Sequence, residues 1–291
     1  MLEAFFTDRL MMQRRASVHT IASYRDTFRL LLRFLQDYCN KCPSDVTLDD
    51  LAAPVICEFL DYIEKQRGNK ARSRNVRLAA IRSFFHYAAF EDPSHAELIH
   101  RVLAIPGKRW RRALVNYLSS PETDALLAAP DRQTRCSRRD HVLLRLAVQT
   151  GLRVSELIGL RCGDVTFGRA GAYVRCVGKG RKERCVPLSK PTAKLVRQWL
   201  QEYKAGPDAP LLPNARGGQF SRDGVAYVLR KYVKIAAKTC SSLRTKRVSP
   251  HVLRHTNAVN LLQAGVDPAV IALWLGHESV ETTQVYLHVD V

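Results

Sequence analysis

Apolar and polar positions along most of the chain follow the three- and four-residue spacing of amphipathic helices. In SVHTIASYRDTFRLLLRFLQDY, Ile21, Tyr24, Phe28, Leu31 and Leu35 share a face with arginines between them, and a Ser or Thr cap opens the helix. APVICEFLDYIEKQ predicts a second helix and KARSRNVRLAAIRSFFHYAAF a third, with Ile81, Phe84, Phe85 and Ala88 on its core side. IPGKRWRRALVNYL interrupts the period at Pro106-Gly107. Helical patterning resumes in LSSPETDALLAA, where Ser120 is the expected cap and Pro121 the first helical residue. An apolar helix, RDHVLLRLAVQ, stops at Thr150-Gly151. AYVRCVGKGRKERCVPL differs in kind: two stretches of period two flank Gly178-Lys179-Gly180, a hairpin signal. The pattern predicts a mainly α chain: a helical domain over 1–104, a linker over 105–116, and a mostly α domain with a small antiparallel β-sheet over 117–291.

Charge narrows the partner. The 291 residues are 46% hydrophobic, a globular composition, yet carry a formal net charge of +19. Such an excess of Lys and Arg is the footprint of a polyanion binder, with nucleic acid ahead of an anionic membrane surface. No stretch approaches the roughly 18 apolar residues of a spanning helix, and MLEAFFTDRLMMQRR lacks the apolar core and cleavage site of a secretion signal, so a cytoplasmic protein without a membrane partner is expected. The cysteines at 39, 42, 57, 136, 162, 176, 185 and 240 are scattered, and reduced thiols packed as small hydrophobes are expected. CNKC at 39–42 has no second pair at zinc-finger distance and gives only a weak metal signal.

Two basic clusters fit a phosphate backbone. Lys70, Arg74 and Arg77 fall at i, i+4 and i+7 of the third helix, as a solvated charge face or as phosphate contacts. Lys108, Arg109, Arg111 and Arg112 surround Trp110 in the linker, where they track a duplex or simply keep the linker soluble.

Four separate pieces of the second domain carry residues suited to phosphate chemistry. In TGLRVSEL, Gly151 ends one helix and another starts just beyond, which places Arg153 in the turn; Glu156 can reach back to orient its guanidinium. Lys179 sits at the hairpin tip between glycines. Pro250 opens a helix whose first turn carries His251 and Arg254 at i and i+3, near the positive end of the dipole. HVLRH is not the zinc-binding HExxH, since Val252 stands where the general-base Glu belongs and Arg254 adds a cation beside the would-be metal. In the last piece, Asp267-Pro268 starts a helix that Gly276 ends, and Ser279 caps another, so His277 lies in a joint and Tyr286 on the following helix. Taken alone, Arg153 with Glu156 has the ordinary reading of a surface salt bridge, and Lys179 that of a solvated turn lysine.

Their order resembles one family. TGLRVSEL, GKGRKER, HVLRHT, LGH and a final tyrosine-bearing helix are similar to the motifs of the tyrosine site-specific recombinases, the integrase and Xer-type enzymes, and the first block looks like that family's core-binding domain. The resemblance implies a DNA recombinase that cuts and rejoins strands through a covalent 3′-phosphotyrosyl intermediate, with no metal, ATP or other cofactor. It implies Tyr286 as nucleophile, Arg153 and Arg254 on the non-bridging oxygens, His251 and His277 on those oxygens or the phenol, Lys179 as acid for the leaving 5′ oxygen, and Glu156 as a supporting carboxylate. His255 falls outside the pattern, as packing or support, and His288 as surface or a DNA contact. The implied partner is double-stranded DNA with paired sites, held in a clamp between two domains and bound by a tetramer. Because the chain starts close to the core-binding helix, accessory arm sites are not expected. Only LHVDV follows Tyr286, which leads to the expectation of a companion recombinase or of impaired exchange. A DNA-site binder of this fold and a topoisomerase-like relative are the alternatives.

Overall fold

The computed structural model describes residues 1–110, 115–178 and 182–276, together with Tyr286. The chain divides into two compact units, Met1–Arg112 and Ala113–Val291.

In the first unit, a short turn α1 (Leu2–Ala4) runs into a wide π-type helix over Phe5–Gln13. Helices α2 (Val18–Cys39), α3 (Ala53–Lys65), α4 (Ala71–Glu91) and α5 (Ala96–Leu103) follow. The Ser17 hydroxyl caps α2 by accepting from the Thr20 N–H, and Asn40 ends it in the left-handed conformation. The apolar stripes of α2 and α4 meet an aromatic cluster: Phe84 lies 5.5 Å from Phe5 and 5.3 Å from Phe28, ring centre to ring centre, both edge-on. Ile56, Phe59, Leu60 and Ile63 of α3 complete this core.

The second unit opens with α6 (Ser120–Ala128) and α7 (Arg135–Thr150). Ser119, not Ser120, caps α6: its backbone N–H donates to Glu122 at 2.8 Å in a capping box, one residue earlier than the Pro121 rule suggests. After α8 (Val154–Gly159) come strands β1 (Val165–Gly168), β2 (Gly171–Val177) and β3 (Glu183–Leu188), in the order β1-β2-β3 and antiparallel throughout. The register sets Val174 opposite both Val165 and Val186. Along β2 and β3 alternate residues turn inward, and Val174, Cys176, Val186 and Leu188 join the core. Helices α9 (Lys190–Tyr203), α10 (Arg222–Ala236), α11 (Pro250–Gln263) and α12 (Pro268–Leu275) finish the described unit. The fold is thus mainly α with a small antiparallel sheet, as the periodicity predicts.

The central α7 packs against α11 and α9. Its end is set by Gly151 at φ 60°, where a Cβ would lie 2.6 Å from the Leu275 side chain and 2.7 Å from that of Asn257. Only glycine lets α11 and α12 approach this turn so closely, and that approach builds the site. Among the described residues no helix is long and apolar enough to cross a membrane. The eight cysteines are free thiols, as expected, but their packing departs from expectation: Cys162 and Cys176 are buried and Cys240 is half-buried, whereas Cys39, Cys42, Cys57, Cys136 and Cys185 are exposed.

Candidate active site

Arg153 stands in extended conformation immediately before α8. Its backbone N–H donates to Glu156 Oε2 at 2.8 Å and its Nη1 to Oε1 at 2.9 Å, so one carboxylate caps the helix and aims the guanidinium. Glu156 is buried, and it also accepts from Nη1 and Nη2 of Arg184, on β3, at 3.0 and 2.8 Å. Burial alone would raise its pKa; the hydrogen bonds from Arg184 and Arg153 outweigh it and hold the carboxyl below the ordinary glutamate range.

Arg254 reaches the same place from α11, whose first turn is capped by the Ser249 hydroxyl. It is buried, donating Nη1 to the Gly151 carbonyl at 2.8 Å and Nη2 to the Leu275 carbonyl at 2.7 Å. Burial, then the neighbouring Arg153, pushes its pKa down to about 10, which leaves it a cation at neutral pH. His251, one turn earlier, is exposed; Arg254 turns inward because those carbonyls lie beneath it.

Three guanidiniums meet at the end of α12. Arg184 Nε donates to the Trp274 carbonyl at 3.0 Å, Arg254 to Leu275, and Arg153 Nη2 to Gly276 at 2.8 Å. The last carbonyls of a helix lack intrahelical partners and sit at the negative end of its dipole, so cations belong there. Gly276 ends α12 at φ 66°, and a Cβ on it would lie 2.8 Å from Arg184 Nη1.

Tyr286 is buried in a small apolar cluster with Ala258, Val259, Ile271 and Leu275. Its hydroxyl lies 2.8 Å from Nδ1 of His255, with ring centres 5.5 Å apart. Burial raises the phenol pKa, partly offset by Arg254. The same burial, followed by His251 and Arg254, lowers that of His255 and favours a neutral imidazole.

The structure therefore brings Arg153, Glu156, Arg254, His255 and Arg184 into one neighbourhood, with His251 at its exposed edge. Lys179, His277, Arg111, Arg112 and His288 lie outside the described residues. In the first unit Lys70, Lys108 and Arg109 are exposed, but the single basic face expected for α4 does not form. Arg74 is buried, donating to the Pro106 carbonyl at 3.3 Å and lying 3.7 Å from Glu64, because the chain after α5 and the end of α3 supply it with acceptors. Arg77 donates to the Ser23 carbonyl at 3.1 Å and the Thr27 hydroxyl at 3.0 Å. Lys108 pairs with Glu64, and Trp110 lies under the Arg72 guanidinium.

Sequence reasoning passes over Arg184 and gives His255 no contact with the tyrosine. A signal exists for each. Arg184 keeps step with Val186 and Leu188 on the inward face of β3, where an arginine needs a buried partner. His255 is one turn from His251, on the same stripe of α11.

The profile of the phage integrase family matches residues 116–291, and that of the phage integrase N-terminal SAM-like domain matches residues 4–92. The chain is 58% identical to the putative integrase/recombinase y4rC of Sinorhizobium fredii, over 99% of this chain and 86% of that protein. It is 34% identical to the tyrosine recombinase XerC of Pelobacter propionicus, over 96% of this chain and 87% of that one. Its fold aligns with a transposon integrase, that of Tn1549 solved with transposon right end DNA, at a TM-score of 0.76 and 17% identity, covering 99% of this chain and 94% of the other. At that identity the likeness is one of fold. The protein belongs to the phage integrase family of tyrosine recombinases.

Proposed function

We propose that this protein is a site-specific recombinase in which Tyr286 attacks a scissile DNA phosphate and forms a 3′-phosphotyrosyl link. The observation that carries the reading is the convergence of Arg153 and Arg254 on adjacent carbonyls of Leu275 and Gly276, with Tyr286 in the same apolar cluster as Leu275. Two rigid forks so placed suit the non-bridging oxygens of a phosphate, where charge builds in the transition state. As the tyrosine oxygen bonds to phosphorus, the bond to the 5′ oxygen breaks. The phenolic proton passes to a base, and the leaving oxygen takes a proton from an acid, a role we assign to Lys179. His251 and His277 complete the proposed set around the phosphate. The ester preserves the energy of the phosphodiester, so neither ATP nor metal is needed, and a 5′-hydroxyl from a partner strand reverses the step.

The partner in this reading is double-stranded DNA with paired sites, bound by a tetramer of this chain or with a companion recombinase. Residues 1–104 bind the core site, 105–116 link, and 117–291 carry the chemistry. Lys70, Lys108 and Arg109 are the exposed candidates for phosphate contact, with Arg111 and Arg112 beside them in sequence. The DNA in the solved Tn1549 complex and the basic charge of this chain support a nucleic-acid partner.

The test uses a duplex selected from a random pool by binding to the full chain, then nicked beside the mapped cleavage position so that the cut strand end diffuses away. Wild type should accumulate a covalent adduct that Tyr286→Phe abolishes while still binding the duplex. An adduct surviving that substitution overturns the assignment. Adduct without exchange between two duplexes would favour the topoisomerase-like alternative, and binding without adduct the site-binding one.

A further inference from the structure

The least expected side chain in the site is Arg184. It is not on a loop at the rim but on the inward face of β3, its side chain 14% exposed, and among the described residues its hydrogen bonds go to parts of the site. Nη1 and Nη2 bind both oxygens of Glu156, and Nε binds the Trp274 carbonyl. Glycine stands on either side: a Cβ at Gly178 would lie 3.1 Å from Nη1 and one at Gly276 would lie 2.8 Å from it.

The consequence falls on Arg153. Carboxylate and guanidinium favour a paired fork, two parallel N–H donations. Glu156 has one such fork to give, and Arg184 occupies it. Arg153 is left with Nη1 on Oε1 and directs Nη2 to the Gly276 carbonyl. Without Arg184, Glu156 would be free to draw the Arg153 fork onto itself, and the Trp274 carbonyl would lose its donor.

We propose that Arg184 is a positioning residue for the recombination chemistry: by holding both oxygens of Glu156 and the end of α12, it keeps the Arg153 guanidinium turned toward the phosphate. This rests on the reading of Arg153 as a phosphate-binding group. A lysine cannot replace it, since one ammonium does not span a carboxylate and a carbonyl in fixed geometry.

The experiment compares single-turnover adduct formation on the selected nicked duplex carrying either a phosphodiester or a methylphosphonate at the cleavage position. The methylphosphonate removes a charged oxygen and with it much of the need for a guanidinium. Arg184→Ala should slow phosphodiester cleavage about a hundredfold, the cost of an ångström-scale misplacement. Duplex affinity should stay unchanged, and the methylphosphonate should be cleaved near the wild-type rate. Arg153→Ala should show the same selectivity, and Arg184→Lys should not restore the phosphodiester rate. If Arg184→Ala does not fold, Arg184→Lys, which keeps a cation over Glu156, is read in the same way. Equal loss on both substrates, no loss on either, or full rescue by lysine overturns the inference. Absence of any Tyr286-dependent adduct in wild type overturns the proposed function as well, so the two failures are told apart.

Discussion

The two units use arginine in opposite ways. In the first, Arg74 and Arg77 are tied to carbonyls and a hydroxyl of their own unit, bracing α4 against α2 and the segment after α5. In the second, Arg153, Arg184 and Arg254 share one carboxylate and three successive carbonyls at the end of α12. The first set is spread over separate acceptors; the second is crowded, like charge against like charge. Like charges held this close repel, and such crowding is the arrangement expected of a group that binds a further anion, as the proposed function requires, whereas the spread set is that of a brace.

The strongest way to break the contrast is Glu156→Gln. It leaves two guanidiniums in the site without their carboxylate, and loss of one partner of a buried pair costs about 3–5 kcal/mol. Chemical denaturation should register that loss. The sign with pH follows: the folded pKa of Glu156 lies below its ordinary 4.5, so its contribution is present above that value and disappears as pH falls through the lowered one. An acid unfolding limb common to wild type and the Gln variant would assign it to other carboxylates.

Gly276→Ala comes next. The left-handed backbone alone costs an alanine about 1 kcal/mol, and the Cβ must displace Arg184. A modest fall in melting temperature with a larger fall in cleavage rate is expected; Gly68→Ala, also left-handed but with nothing near its Cβ, should lower stability without touching cleavage.

His255 sharpens the comparison through pH. With its pKa below the ordinary 6.5, Nδ1 is available to accept from the Tyr286 hydroxyl at neutral pH. It becomes protonated as the solution is acidified through that lowered value. Adduct formation should therefore fall on the acid side of pH 6.5, and His255→Asn should remove that limb from the pH–rate profile.

The smallest effects separate brace from contact in the first unit. Arg77→Met should cost about 1 kcal/mol of stability for its lost hydrogen bonds and leave the salt dependence of duplex binding unchanged. Lys70→Met should do the reverse, lowering the slope of log affinity against log salt by about one.

Much of this fold is legible in the sequence because it is local. Ser17, Asp267 and Pro250 mark helix starts, Gly151 and Gly276 mark ends, and the period-two stretches about Gly178 give a hairpin. Where local chemistry is weak, the sequence is silent: β1 has only four residues and none is fully buried, so its alternation carries no contrast. The inward turn of Arg74 depends on a carbonyl 32 residues away, and spacing along one helix cannot report it. Arg153, Glu156 and Arg254 are readable as candidates from their motifs. Their convergence is tertiary, and the contacts of Arg184 and His255 appear only once β3, α12 and Tyr286 are placed.

The three carbonyls at the end of α12 also bear on when the site exists. Arg153 is held by an acceptor 123 residues further along, Arg184 by one 90 residues on, and Arg254 by one 21 residues on. During synthesis the arginines emerge long before the carbonyls that order them, and closure of such loops belongs to the late, non-local phase of folding. A nascent or broken chain would present basic surface to DNA without an assembled means of cutting it. In this arrangement the proposed cleavage site is assembled only when the chain has folded through the end of α12.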